Sequence, residues 1–439
     1  MAVGTFVGRV ETRTLDSSAD PVCAFYTAHP YPPPVANLER AREEWQDASR
    51  HRADHHLYWP GATYRADLDI LVAGCGTWQA AKYALCRPQA HVVGIDVSTT
   101  SLEHTEQLRR KYGLTNLEAM HRSIEEVGVM QRRFDLIVCT GVLHHLLDPA
   151  VGLRALRSVL KPDGVIYLMV YAPYGRTGIY MLQEYCRTLG VGRSDQDIAD
   201  LRAAVAALPP QHPLHAELAT SRDARNTHAL ADALLNPRDQ SYSVHALFDL
   251  IERGGMRFER WHWQAPYLPE CGAFAATPHA TRVARLPARE QYAALELWRG
   301  TMGAHSVVVS RDDRPEDTGV KVGFDDARWS SFVPIRVPYT LCVEEPLPQG
   351  AAAVLLNRSH QHRDLILTIT APEKRMFDAI DGQRTIAEIA VRAGLESAAD
   401  CAKSFFEKLW RYDQVVFDTV GGATSSGSRR GESLMSSTR

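Results

Sequence analysis

The chain has 439 residues and a formal charge of −3, from 49 Lys and Arg against 52 Asp and Glu. At roughly 150 residues per domain that length predicts two to three domains. The near balance of charge argues against a chain built to coat nucleic acid or an anionic membrane. Hydrophobic residues are 45% and charged residues 23%, a globular mix that can build a large core without disulfide or metal staples.

The eight cysteines are scattered, with no C-x-x-C and no compact His/Cys cluster. No metal site is therefore expected, and a reducing compartment suits the pattern. The first residues show no charged stretch followed by an apolar one, and no apolar run approaches the roughly 20 residues that span a bilayer. A cytoplasmic protein is expected.

Residues 21–34 (PVCAFYTAHPYPPP) are rich in proline and aromatics, and prolines predict an extended path there rather than a helix. Residues 35–52 read as a charged amphipathic helix. From Asp69 short apolar runs alternate with helix patterns: Asp69–Gly74, a helix from Gln79, His91–Asp96, a helix to Tyr112, Leu117–His121, Phe134–Thr140, a helix over Pro149–Leu160, a turn at Lys161–Gly164 and Val165–Tyr171. Thr100 with Glu103 matches a capping box for the second helix, and Ser98 serves equally as its cap. Unbroken apolar strands alternating with helices predict a parallel sheet covered on both faces.

From Ala172 to Met256 the pattern is almost wholly helical, an insertion placed to roof a site. Arg257–Gln264 and His305–Arg311 read as sixth and seventh strands of the same sheet. After a charged break at Asp312–Asp317, residues 320–420 hold β-like pieces, helix patterns over Ala371–Ala393 and Ala398–Tyr412, and a closing strand at Gln414–Thr419. The remainder, 421–439, is Gly, Ser, Thr and Arg with few apolar residues and is expected to be a disordered tail. The expected domains are thus a lid segment over 1–68, a sheet domain over 69–312 with its insertion at about 172–256, a small α+β domain over 320–420, and the tail.

The sharpest local feature is Gly74-Cys75-Gly76-Thr77 between a strand and a helix, with Asp96 ending the next strand about 20 residues on. Glycines there let the backbone turn tightly and approach a ligand, and an acid at that place is set to hydrogen-bond ribose hydroxyls. A nicotinamide site wants a third glycine, and that position is Gln79, so a nucleoside ligand without a diphosphate is favoured.

The ordered series LVAGCGT, VVGIDVS, FDLIVCTGVLHHL and LKPDGVIYLMV, over about residues 69–171, resembles the class I S-adenosyl-L-methionine (SAM)-dependent methyltransferases. That resemblance implies a doubly wound seven-stranded sheet with its last strand antiparallel. It implies SAM as cofactor, with Gly74 and Gly76 beside the methionine part, Asp96 on the ribose, Val97 on the adenine and Ser123-Ile124 in the adenine loop. The same motifs bring Cys75, Thr77, Gln79, Ser98, Thr140 and Gly141 to the cofactor. Two departures stand out. Ser123 replaces the usual acid of the adenine loop, and Trp78 stands where glycine is common, either closing over the ligand or packing on the N-terminal segment.

The candidate catalytic groups are His144 and His145, at the lip of the site where a histidine serves as general base, and Tyr31. Candidate substrate contacts are Tyr26, His29, Tyr171, Tyr174 and Arg176, with Arg222, Asp223, Arg225, Asn226 and His228 read as a solvated face. The PYPPP segment, GCGT, GVLHHL and helical insertion together resemble a bacterial group of stand-alone or repeat-fused methyltransferases, and more loosely bacterial protein-lysine methyltransferases. The stretch TAPEKRMFDAIDGQRTIAEIA resembles winged-helix modules attached to peptide-modifying enzymes. Segment 371–412 is not strongly basic, so dimerisation, domain packing or peptide docking is expected of it rather than nucleic-acid binding. The leading expectation is methylation of a small molecule in a biosynthetic pathway. The alternatives are a protein or peptide acceptor docked on the C-terminal module and a SAM-binding regulator without turnover.

Overall fold

The computed structural model describes residues 20–215, 226–315, 322–395 and 399–420. Its centre is a seven-stranded sheet: β1 (Asp69–Ala73), β2 (His91–Asp96), β3 (Leu117–His121), β4 (Phe134–Thr140), β5 (Leu160–Tyr171), β6 (Met256–Trp261) and β7 (Ala304–Arg311). The order is β3-β2-β1-β4-β5-β7-β6. The first five strands run parallel, and β7 lies antiparallel between β5 and β6.

Alternate side chains of each strand enter opposite faces, and β1 shows the consequence. Leu71 and Ala73 join Ile137, Leu168, Leu153 and Leu247 on one side. Ile70 and Val72 join Leu136, Val138, Ala80, Ala84 and Leu57 on the other. Helices therefore cover both faces: α4 (Gln79–Cys86), α5 (Thr99–Tyr112) and α6 (Pro149–Ser158) follow β1, β2 and β4. Ser98 caps α5, its side chain accepting from the Ser101 N–H at 3.2 Å, which settles the choice of cap.

Three local expectations are corrected. Residues 21–28 form a helix, α1 (Pro21–Ala28), not an extended path. Pro21 sits in the first turn, where its missing N–H costs nothing, and the Asp20 carboxylate accepts from the Val22 N–H at 2.8 Å. The amphipathic segment after it breaks into α2 (Glu39–Glu44) and α3 (Ala48–Tyr58), because the Asp47 side chain caps a new helix by accepting from Ser49. Residues 161–164 lie inside β5 rather than in a turn before it. There Lys161 Nζ bridges Asp69 (2.7 Å) and Asp135 (2.8 Å), pinning the start of β5 to the starts of β1 and β4.

The segment between β5 and β6 is helical: α7 (Thr177–Leu189), α8 (Asp195–Ala206), α9 (Thr227–Leu235) and α10 (Val244–Arg253). Ile179, Leu182, Ile198, Leu201, Leu230 and Leu234 form a core of their own, and Phe25 of α1 is part of it. The N-terminal helix and the insertion thus make one roof. Between β6 and β7 lie α11 (Ala280–Val283) and α12 (Ala288–Arg299).

Beyond the sheet come β8 (Val333–Arg336), β9 (Thr340–Val343), β10 (Ala353–Asn357), β11 (Ile366–Ile369), α13 (Ala371–Asp378), α14 (Ile386–Arg392), α15 (Ala399–Arg411) and β12 (Val415–Asp418). The single helix expected over 371–393 is two, divided where Gly382 takes a left-handed φ of +74°. The strands form a three-stranded sheet, β11-β10-β9, and a β12-β8 pair. Met376, Phe377, Ile386, Phe405, Phe406 and Phe417 centre a separate core. Ile335, Val337 and Val416 nonetheless join the cluster below the main sheet, and Asp413 accepts from the N–H groups of Gln264 (3.1 Å) and Ala265 (2.9 Å). The expected tail, 421–439, lies outside the described residues. Among those described, no helix is long and apolar enough to cross a membrane.

Two buried histidines give the fold an acid sensitivity. Burial lowers His55 to about 3, with help from His56 and Arg65, and lowers His262 to about 3, with help from Arg260. The unfolded chain titrates these groups near 6.5, so between about pH 3 and 6.5 it binds more protons than the folded one. Stability is expected to be flat above about pH 6.5 from this source and to fall as pH drops through that window. Urea midpoints at about pH 7 and 5 check it, and His262→Asn should reduce the difference between them.

Candidate active site

The carboxyl ends of β1, β2 and β4 meet where the strand order reverses, the place where open α/β sheets bind ligands. The turn after β1 holds two left-handed glycines, Gly74 (φ +70°) and Gly76 (φ +55°). A Cβ on Gly74 would overlap the Val142 side chain. One on Gly76 would lie 2.7 Å from Pro32 Cδ and 2.9 Å from the Tyr31 carbonyl oxygen. Only glycine fits at either position.

Asp96 ends β2. Its Oδ2 accepts from the Gly76 N–H at 2.8 Å and its Oδ1 from the Ser98 N–H at 2.9 Å. Burial pushes this carboxyl up, opposed by the N–H groups of Ser98, Gly76 and Val97. Each carboxylate oxygen keeps a second lone pair, the acceptor set that a ribose diol needs. Gln79 Nε2 donates to Thr140 Oγ1 (2.9 Å), tying the turn to the end of β4, and Gly141 follows with φ +78°. A nucleoside with a short polar tail fits this cradle, and SAM is such a ligand.

The other expected cofactor residues have mixed placements. Cys75 is fully buried and points to Gly94, inside the core. Thr77 Oγ1 donates to the Pro32 carbonyl at 2.7 Å, so it holds the lid segment. Val97 uses its carbonyl to accept from Cys23 Sγ at 3.1 Å. Ile124 is buried in the main core, and Ser123 caps a 3-10 turn (Ile124–Met130), its N–H donating to Glu126 at 3.4 Å. Trp78 packs against the cluster below the sheet with Lys82 Nζ 5.6 Å from its ring.

The roof descends onto this turn. Ser98 Oγ donates to the Tyr26 carbonyl (2.9 Å) and Thr100 Oγ1 to that of Thr27 (3.0 Å). Tyr26 OH donates to Asp232 Oδ1 at 2.7 Å, and Asn236 Nδ2 donates to Tyr26 OH at 2.9 Å. Burial raises the Tyr26 phenol well above its usual range, so it stays a neutral donor.

Under the roof, at the ends of β4 and β5, lies a buried polar group. His144 is wholly buried and its ring lies 4.0 Å from that of Tyr171. Burial, with His145 and Arg176 nearby, pushes His144 well below 6.5. The Arg176 guanidinium lies 3.5 Å from the centre of the Tyr171 ring and pairs with Asp239 at 3.2 Å. Burial raises the Tyr171 phenol well above its usual range, with Asp232 and Tyr31 adding to it. Thus His144, His145, Tyr26, Tyr31, Tyr171 and Arg176 come together. Tyr174 does not, being 41% exposed. His29 packs on Phe25 and faces His228 at 6.0 Å, inside the roof.

Sequence reasoning missed Asp232, Arg238 and Asp239, which carry no motif and lie in or after a helix of the insertion. Of the polar stretch weighed instead, Arg222, Asp223 and Arg225 lie outside the described residues, and Asn226 caps α9 by accepting from the His228 N–H at 2.8 Å. A concavity of about 460 Å³ lined by Asp69, His91, Asn116 and Arg132 lies at the opposite, amino ends of the strands.

Residues 65–187 match the family model of a methyltransferase domain. Over these residues the chain carries the features of that domain, and the sheet has the Rossmann-like fold of the SAM-dependent methyltransferases. An uncharacterized protein of Synechococcus is 32% identical over 268 residues, which cover 57% of this chain and 62% of that one. A ubiquinone biosynthesis O-methyltransferase of Haemophilus ducreyi is 31% identical over 104 residues, 23% of this chain and 43% of the relative. The chain thus spans less than two thirds of both relatives. The solved structure of PKMT2 from Rickettsia typhi superposes with a TM-score of 0.58 at 15% identity, over 87% of this chain and 75% of that one.

Proposed function

We propose that this chain is a SAM-dependent methyltransferase whose acceptor is a small molecule. The observation that carries the reading is the juxtaposition of two sites under one roof. Asp96 and the glycine turn offer a nucleoside cradle. Next to it His144, His145 and Arg176 are buried beneath α1 and the insertion, with Tyr171 half-buried beside them. SAM brings a methyl group already activated by its sulfonium, so alignment can supply much of the rate. The chain's own task is to orient the acceptor, exclude water and receive or pass on a proton where the nucleophile carries one. A buried polar cluster under a roof suits a compact acceptor better than a chain segment. The O-methyltransferase relatives support an oxygen acceptor and a biosynthetic role.

A second reading has its own support. The superposition on PKMT2 covers 87% of this chain, more than the sheet domain alone, and the C-terminal module, with its separate core, is a body able to hold a larger acceptor such as a protein or peptide. Labelled SAM incubated with the protein and with separated small-molecule and protein fractions of a bacterial extract decides between them. Label in a small molecule that gains the mass of one methylene is the expected result. Label confined to protein would transfer the proposal to the second reading.

A further inference from the structure

Three side chains at the end of β4 and in the loop after α9 turn unpartnered atoms toward one another. Both ring nitrogens of His144, Nε2 of His145 and Oδ1 of Asp239 have no hydrogen-bond partner among the described residues. All three are buried. His144 is 0% and His145 4% exposed, and the Asp239 side chain 2%. One ligand-type atom from each lies within 4.8 Å of the others.

The chemistry of the three atoms is alike. His145 Nδ1 lies 2.6 Å from the Arg238 carbonyl oxygen, so that nitrogen carries the proton and Nε2 presents a lone pair. Asp239 Oδ2 accepts from Gln183 Nε2 (2.9 Å) and Arg176 Nη2 (3.2 Å), which aims Oδ1 inward as a pure acceptor. A neutral His144 offers one lone pair as well, its plane held against Tyr171. Neutral His144 also carries one unpartnered N–H, so with its lone pair turned inward three buried, unpartnered ligand-type atoms converge as a cation site requires. Two atoms each about 2.0–2.1 Å from one ion lie roughly 3–4 Å apart, a separation within the limit seen here. The supports of His145 and Asp239 are those typical of metal ligands, a carbonyl behind the imidazole and donors behind the carboxylate. Arg176 opposes a cation, but it is paired with Asp239, and Asp232 adds a second carboxylate near His145.

We propose that His144, His145 and Asp239 hold one divalent transition-metal ion, with an open coordination position that takes an oxygen of the methyl acceptor. Two imidazoles and one carboxylate suit zinc, manganese, iron or cobalt better than calcium or magnesium, and three protein ligands leave room for a fourth. The ion's place follows from geometry alone. Its role toward the acceptor rests on the methyltransferase reading. A hydroxyl that binds the ion loses its proton to bulk water as the acceptor enters, at lower pH than when free. Its oxygen lone pair then forms the new bond to the methyl carbon, while the pair of the broken carbon–sulfur bond stays on sulfur.

The full chain is stripped with chelator and re-equilibrated with zinc, manganese or cobalt(II), and bound metal is measured directly. About one equivalent is expected, with cobalt giving the visible absorption of a four- or five-coordinate site. His144→Ala and Asp239→Asn should abolish it. Gln183→Leu, which removes a support of Asp239 together with a hydrogen bond to the Ala233 carbonyl, should weaken it by about ten- to a hundredfold. SAM affinity and melting temperature report whether each variant is folded. A wild-type chain that retains no metal overturns the site. Metal bound equally by the wild type and by folded His144→Ala and Asp239→Asn assigns it elsewhere and also overturns it. Metal bound as expected while the stripped enzyme methylates at the full rate overturns the acceptor role and leaves the site standing. Metal bound as expected with no methylation of any fraction counts against the methyltransferase reading alone.

Discussion

Replacing Asp96 by alanine is expected to weaken SAM binding by roughly ten- to a hundredfold. Hydrogen bonds to a charged group contribute about 1.5–3 kcal/mol, and each 1.4 kcal/mol is a factor of ten. The upper end is the more reasonable expectation, because Asp96 does two jobs. On the proposed reading its free lone pairs take the ribose hydroxyls, and in the structure it holds the Gly76 and Ser98 N–H groups at 2.8 and 2.9 Å. Alanine therefore removes the ribose acceptor and unties the glycine turn together. Asp96→Asn separates the two effects: its single carbonyl oxygen keeps one acceptor and loses the charge, so an intermediate affinity is expected. Calorimetric titration of SAM and its demethylated product into both variants gives the answer. An unchanged affinity for Asp96→Ala in a folded protein would remove Asp96 from the ribose.

Much of this site could be read from the sequence because its determinants are local. A strand, two glycines and an acid about 20 residues on follow one another in a stretch whose geometry is fixed by the sheet. Past their opening aspartates, Ile70–Ala73 and Leu136–Cys139 are apolar on both faces, and the structure buries both faces. Local patterning failed where a short-range cap outweighed composition. Asp20 and Asp47 each start a helix by accepting a backbone N–H two residues on. Proline content hid the first of these, although proline is at home in a first helical turn.

Long-range pairing was invisible for a different reason. Asp232 meets Tyr26 across 206 residues, and Asp239 reaches His144 and His145 from a loop with no motif. No spacing rule connects such residues, since the insertion helices alone bring them together. The same holds for the C-terminal module. Its own apolar helices announce a core, but nothing in Ile335, Val337 and Val416 announces that they join the cluster below the main sheet, with β8 and β12 against α3.

Removing residues 1–34 is expected to lower turnover by about a hundredfold, the scale on which a misplacement of about 1 Å costs rate. The roof explains why. Phe25 anchors α1 in the core of the insertion, and Tyr26 bonds Asp232 beside His145. The Tyr31-Pro32 segment rests on Gly76, tied down by Thr77. Without it, water reaches the polar group and the acceptor loses one wall. Losing Phe25 burial costs about 1.5–3 kcal/mol, and unpairing buried Asp232 adds to that, so some fall in melting temperature is expected as well. Gly76→Ala keeps Phe25 and Tyr26 in place while its Cβ, 2.7 Å from Pro32 Cδ, wedges the segment off the turn. It should reduce turnover at least tenfold with the roof's core intact. If both variants methylate at the wild-type rate, residues 21–34 are a tether to the sheet domain, and the walls of the acceptor site come from the insertion alone.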